Sequence, residues 1–153
     1  MSGNPSSRWH SSPSDGAKTL CAWSKINLNN PKVQKILQSK EFAHLATIRR
    51  DGSPQSSPMW FLWDGEYLKF THTTTRKKYQ NIRRDPRVAV SITDADDPYI
   101  YAEFRGIVER IEEDPTGAFY DTLAKHYGVP WGYSGDPRVI LYMKIQHVVG
   151  KNL

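Results

Sequence analysis

Hydrophobic and polar positions alternate in short runs along most of this chain, and turn residues separate the runs. Phe42 to Ile48 alternates with Phe42, His44, Ala46 and Ile48 on one side, as a half-buried strand does. Asp51-Gly52 follows and reads as a hairpin turn. A second strand is predicted from Gln55 to Trp63, Asp64-Gly65 makes a second hairpin, and a third strand runs from Tyr67 to Thr71. Arg87 to Ile92, Tyr99 to Glu112 and Val139 to Val149 supply the fourth, fifth and sixth strands. Gly106, inside the long fifth run, marks either a bulge or a close approach of another backbone.

Helical patterning is confined to three short segments. Asn30-Pro31 offers an N-cap and a proline at the first helical position, and Val33, Ile36 and Leu37 then share one face up to Ser39. Thr73 to Thr75 opens a second helix that ends before Asp85-Pro86. Asp114-Pro115 starts a third, with Phe119, Leu123 and Tyr127 at four-residue steps and Gly128 as its stop. Strands joined mainly by hairpins, with few and unevenly spaced helices, predict a mainly β fold. The expected form is a six-stranded antiparallel barrel rather than a βαβ sheet.

The 153 residues suit one domain. Residues 1–25, rich in Ser, Pro and Gly at their start, read as a flexible tail, and 26–153 as the folded domain. Cys21 is the only cysteine, which excludes an intrachain disulfide and argues against a thiolate metal site. No apolar stretch approaches the length of a membrane span, and Met1 to Gly16 lacks the apolar core of a signal peptide. The expected location is therefore the cytoplasm. A formal charge of +5 suits an anionic partner, whether nucleic acid, an acidic membrane or a small polyanion, but it equally suits solvated cationic faces.

Two segments carry candidate chemistry. In Thr71-His72-Thr73-Thr74-Thr75-Arg76-Lys77-Lys78, hydroxyls at a strand end precede three cations at a helix start. Free backbone N–H groups there attract anions. The cations oppose the helix dipole by a few tenths of a kcal/mol, a penalty that a bound phosphate would reverse. The plainer reading is a solvated first turn. Asn81 is placed on the Arg76–Lys78 side of that helix, able to add one hydrogen bond. The second segment, Ser57-Pro58-Met59-Trp60-Phe61-Leu62-Trp63, does not alternate, so both of its faces are expected to be covered. One face packs in the barrel, and the other meets either a partner subunit or a flat aromatic ligand.

The remaining features exclude more than they assign. His10, His44, His72, His126 and His147 have no metal-ligand spacing, and Asp94, Asp96 and Asp97 lack the full pattern of a calcium loop. No metal site and no catalytic residue is expected. The chain has no GxGxxG, no P-loop and no GxSxG. The loop Val129-Pro130-Trp131-Gly132-Tyr133 either lines an acceptor pocket or caps the barrel.

A set of short motifs, in order, carries a resemblance. Leu45-Ala46-Thr47-Ile48, Asp51-Gly52-Ser53-Pro54 and Ser57-Pro58-Met59-Trp60-Phe61 come first. Thr75-Arg76-Lys77-Lys78 and Asn81-Ile82-Arg83-Arg84-Asp85-Pro86-Arg87-Val88 follow. Over about Pro31 to Gly150 the chain resembles the pyridoxamine 5'-phosphate oxidase-like FMN-binding split-barrel superfamily. Within it the chain looks most like the actinobacterial flavin/deazaflavin oxidoreductases of the B type, which use coenzyme F-420.

The resemblance implies a six-stranded antiparallel split β-barrel of Greek-key type with short helices. It also implies a homodimer with cofactor sites at the interface. Arg76 and Lys78, with Lys77 beside them, match cations that hold the cofactor phosphate, and Thr71 and Thr73 match nearby hydroxyls. Pro58, Met59, Trp60 and Phe61 match the strand along the ring system. The chain is shorter than the vitamin-processing oxidase and shows no match to its substrate-phosphate residues near the C-terminus, so pyridoxamine phosphate is not implied as substrate.

The expected function is an oxidoreductase that uses reduced coenzyme F-420, an 8-hydroxy-5-deazaflavin, to transfer hydride to an unsaturated small molecule. The cofactor carries that chemistry and the protein supplies position and electrostatics. An FMN-dependent oxidoreductase and a non-enzymatic cofactor carrier are the alternatives. A nucleic-acid-binding barrel is disfavoured, because the cations gather at one helix start rather than along an aromatic strand face.

Overall fold

The computed structural model describes residues 28–153. The tail expected over residues 1–25 lies outside them.

Local rules account for the first elements. Helix α1, Pro31–Leu37, starts where the Asn30 carboxamide oxygen accepts from the N–H groups of Lys32 and Val33, at 2.9 and 3.3 Å. It buries Val33, Ile36 and Leu37. Strands β1, Ala43–Ile48, and β2, Pro54–Met59, form the hairpin expected around Asp51-Gly52, where Gly52 has φ +84°. Strands β3, Leu62–Trp63, and β4, Leu68–Thr73, form the next hairpin. The Asp64 carboxylate accepts there from the N–H groups of Glu66 and Tyr67. Helix α2 spans Lys77–Arg84, β5 Arg87–Thr93, β6 Tyr101–Glu113, α3 Ala118–Tyr127 and β7 Arg138–Lys151.

All seven strands belong to one antiparallel sheet in the order β2-β1-β5-β6-β7-β4-β3. Leu45 of β1, Phe70 of β4, Phe104 of β6 and Leu141 of β7 enter one hydrophobic core with α1 and with Ile82 of α2. One inward face serving strands from both ends of the order means the sheet curls around that core. Long strands β6 and β7 join its two halves, with bulges between Arg105 and Gly106 and between Val108 and Arg110. Gly106 does both things the sequence suggested. It sits at a bulge, and a Cβ there would lie 1.9 Å from the Lys144 carbonyl oxygen.

Four expectations need correction. The strand count is seven, because the predicted second strand breaks at Trp60-Phe61. Phe61 is fully buried, and its N–H donates to the Tyr127 hydroxyl at 3.1 Å instead of to a neighbouring strand. The chain thus leaves β2 at one edge of the sheet and resumes as β3 at the other. The second correction is closure: β2 and β3 are unpaired edges, so the sheet curls without closing into a hydrogen-bonded ring. Third, β1 turns Ala43, Leu45 and Thr47 inward, not the set containing Phe42 and His44. Burying an unpartnered imidazole is costly, and this register leaves His44 in water. Fourth, Thr73 to Thr75 is strand end and turn rather than helix.

Candidate functional site

The end of β4 faces the start of β7, with Thr71 opposite Ile140 and Thr73 opposite Arg138. The chain then turns through Thr74 and Thr75, and α2 begins with Arg76 at its N-cap position and no side-chain cap. Lys78, one residue into the first turn, is directed inward. Its ammonium donates to the Ser57 hydroxyl and contacts the Met59 sulfur at 3.0 Å. Around these groups lies a cavity of about 250 Å³. Pro58, Met59, Trp60, Thr71, Thr73, Arg76 and Lys78 line it, together with Phe42, His72, Tyr120 and Arg138.

Its electrostatics are one-sided. Among the described residues, no carboxylate pairs with Arg76, Lys78 or Arg138. Arg138 donates to the Thr71 hydroxyl at 3.3 Å and lies 4.3 Å from the centre of the Tyr120 ring. Burial, and then the charge of Arg76, push the Lys78 ammonium below its ordinary range. Burial first, followed by Lys78, Arg76 and Arg138, holds the His72 imidazole down at about 4, so it is neutral at pH 7. Two buried polar atoms here, His72 Nε2 and Thr73 Oγ1, have no partner. Three cations without a counter-charge, with unspent polar atoms between them, form an arrangement that an anion completes. A phosphate group suits this donor set.

The other wall is aromatic. Trp60 stacks on Tyr127 with centroids 5.2 Å apart, Phe42 stacks on the same ring at 6.1 Å, and Tyr120 lies 5.9 Å from Trp60. Tyr127 donates to the Glu41 carbonyl at 2.9 Å while accepting from Phe61 N–H. Burial pushes its phenol up to about 12, so it acts as a neutral strut between the segment leading into β1, the β2–β3 crossing and α3.

Seven of the ten residues expected at the site meet in this cavity, and Phe61, Lys77 and Asn81 do not. Phe61 is in the core. Lys77 and Asn81 border a wider groove of about 1180 Å³ on the other side of α2, lined also by Arg49, Arg50, Arg83 and Arg84. Asn81 is buried, and its amide donates to Thr47 Oγ1 at 3.2 Å and Gln55 Oε1 at 3.1 Å. It ties α2 to the β1–β2 hairpin. The wider groove is basic, but Tyr79 is the one aromatic side chain along it and it holds neither of the unpartnered atoms, so the smaller cavity is the stronger site.

Sequence reading missed Arg138, Tyr120 and Phe42. Arg138 has no local signal and arrives only through its pairing opposite Thr73. Of the 129–133 loop, no residue lines the cavity; Tyr133 instead packs on Tyr120, with centroids 6.4 Å apart. Among the described residues no helix is long and apolar enough to cross a membrane, and no cluster of metal-binding side chains is present.

Comparison with known proteins agrees with this architecture. A solved F-420 reductase is 48% identical, with a TM-score of 0.73, over 75% of this chain and 94% of that one. A conserved hypothetical protein from Mycobacterium tuberculosis shares the fold at 23% identity and TM-score 0.66, over 84% of this chain and 87% of the other. HutZ, the heme storage protein of Vibrio cholerae, shares it at 15% identity and TM-score 0.58, over 84% and 97%. Residues 30–151 match the family profile of pyridoxamine 5'-phosphate oxidase, and with a relative nearly half identical beside that match, the chain belongs to the pyridoxamine 5'-phosphate oxidase-like split-barrel superfamily.

Proposed function

We propose that the protein is an oxidoreductase that holds a phosphate-bearing flavin-type cofactor in the cavity at the start of α2, and that it works as a homodimer. The observation that carries this reading is the group Arg76, Lys78 and Arg138, which lack any carboxylate partner and surround the unpartnered His72 and Thr73 atoms. Arg76, Lys78, Arg138 and the threonine hydroxyls would hold the phosphate. Trp60, Tyr120 and the β2 end at Pro58 and Met59 would flank the rings.

When bound, the cofactor supplies hydride for an unsaturated small-molecule acceptor. The chain's own part is to bind, orient and shield. No carboxylate lines the cavity, and His72 is neutral, so no residue is assigned as catalytic acid and the proton is taken from solvent.

Coenzyme F-420 is the preferred cofactor over FMN. The relative at 48% identity is an F-420 reductase. F-420 also carries a glutamate tail, and Lys77, Arg83 and Arg84 in the adjoining groove offer positive charge for it. Arg87, close by in sequence, is instead paired with Asp85 at 2.7 Å.

Competitive titration at low and moderate salt tests the preference. Tighter binding of F-420, with the steeper salt dependence, is expected. A yellow protein that holds FMN tightly and ignores F-420 overturns it. Steady turnover of an acceptor by the reduced holoprotein separates the enzyme from a carrier.

A further inference from the structure

We propose that Tyr133, which lies outside the cavity, is a positioning residue for it. Tyr133 fixes the Tyr120 ring and, through that ring, the direction in which the Arg138 guanidinium points. The inference rests on the reading of the cavity as the cofactor site, and adds to it the loop that shapes one wall.

Residues 128–137 join α3 to β7 without helix or strand, running from the Gly128 stop to Arg138 at the start of β7. A connection of that length is conformationally free unless something holds its middle. Among the described residues, one hydrogen bond ties 130–136 to the rest of the chain: the Tyr133 N–H donates to Asp121 Oδ1 at 2.8 Å. The Tyr133 ring sits against Gly117, just before α3. A Cβ at Gly117 would lie 2.1 Å from Tyr133 Cγ, so the ring fills the space that a side chain there would need. The Tyr133 hydroxyl donates to the Asp136 carbonyl, which fixes the last stretch of the loop before Arg138.

The anchored ring then acts on the cavity at one remove. Its centroid is 6.4 Å from that of Tyr120, and the Arg138 guanidinium carbon lies 4.3 Å from the centre of Tyr120. Tyr120 and Arg138 line the cavity, and Tyr133 does not. Among the described residues Arg138 has no carboxylate partner, and its one side-chain hydrogen bond is to Thr71 Oγ1 at 3.3 Å. That is a weak hold for a long side chain. The face of Tyr120 supplies the rest, since a guanidinium stacks on an aromatic ring. Tyr133 keeps that face in place from behind. A guanidinium already held in one rotamer spares the ligand the cost of ordering it.

A double-mutant cycle on the full chain tests this, with F-420 and, separately, FMN as titrants. Tyr133→Ala should weaken binding by about twofold to about tenfold, the range for ordering one long side chain. Tyr133→Phe, which keeps the ring on Gly117, should recover most of the loss. In an Arg138→Ala background the effect of Tyr133→Ala should vanish, because no guanidinium remains to be held. A residue that merely folds the loop gives the same loss in both backgrounds, and that result overturns the proposal. A second readout needs no ligand. In protein labelled with ¹⁵N at arginine, the ring of Tyr120 shifts the Arg138 Nε–Hε resonance; Tyr133→Ala should move it toward the position of exposed arginines, and Tyr133→Phe should not. An unmoved resonance in Tyr133→Ala also overturns the proposal. If Tyr133→Ala does not fold, Tyr133→Leu, which covers Gly117 but presents no flat ring to Tyr120, takes its place in both measurements. If Arg138→Ala alone leaves binding unchanged, Arg138 is not at the ligand and the proposal fails, while the cavity reading stands as long as Arg76→Ala weakens binding. If neither arginine variant has any effect, the cavity reading falls with it.

Discussion

Lys78 offers a test in which stability and binding should part company. It is 8% exposed, its ammonium reaches only Ser57 and Met59, and the nearest charge acting on it is the like-charged Arg76. Replacing it by Met keeps the unbranched length and removes the charge. On the stability side the change loses one hydrogen bond to Ser57, a half-buried hydroxyl that water can serve. It gains relief from burying an uncompensated cation beside another. These terms are each on the order of 1 kcal/mol and opposite in sign, so the apo variant should unfold within about 1 kcal/mol of wild type. Binding has no such compensation. A charge-assisted hydrogen bond to phosphate contributes about 1.5–3 kcal/mol, so affinity should fall by about tenfold to about 100-fold. Urea unfolding of the apo protein measures the first quantity, and titration with F-420 or FMN the second. A variant that loses more than about 2 kcal/mol of apo stability yet binds normally would show that Lys78 is a structural residue and refute the reasoning.

Further outcomes follow from the same geometry. Arg76→Ala should weaken cofactor binding about tenfold or more while leaving the urea midpoint unchanged, because the side chain is exposed and unpaired; unchanged affinity would remove it from the site. Gly106→Ala should cost more than about 2 kcal/mol, because its Cβ would meet the Lys144 backbone at 1.9 Å; an unshifted urea midpoint would contradict that close approach. His72 is held from 6.5 to about 4 by burial and by Lys78, Arg76 and Arg138, so the unfolded chain binds its proton first as pH falls. Apo stability should therefore drop from pH 6.5 to 4 by as much as about 3 kcal/mol, and His72→Gln should flatten that limb in acid-unfolding curves. Sedimentation at micromolar concentration should return twice the chain mass, and a monomer that still binds cofactor tightly would end the homodimer proposal.

Much of this was readable along the chain wherever the cause is local. Asp51-Gly52 makes a hairpin because glycine accepts φ +84° without strain, and Asn30-Pro31 starts α1 because its carboxamide reaches two free N–H groups. Arg76 and Lys78 reach one cavity because two residues at a helix start, just after a strand end, stay close whatever the rest does. Only the tertiary structure decided the break at Trp60-Phe61, since it depends on a core site for Phe61 and on the hydroxyl of Tyr127, 66 residues away. The same holds for Arg138, brought opposite Thr73 by pairing between β4 and β7, and for Asn81, turned to Thr47 and Gln55 by the packing of α2 on β1. The physical reason is common to all three. Turns and caps are satisfied by atoms two or three residues away, so they leave a mark in the sequence. A cross-strand partner or a core site is supplied by residues tens of positions distant, and nothing in the local run of side chains records which of them will arrive.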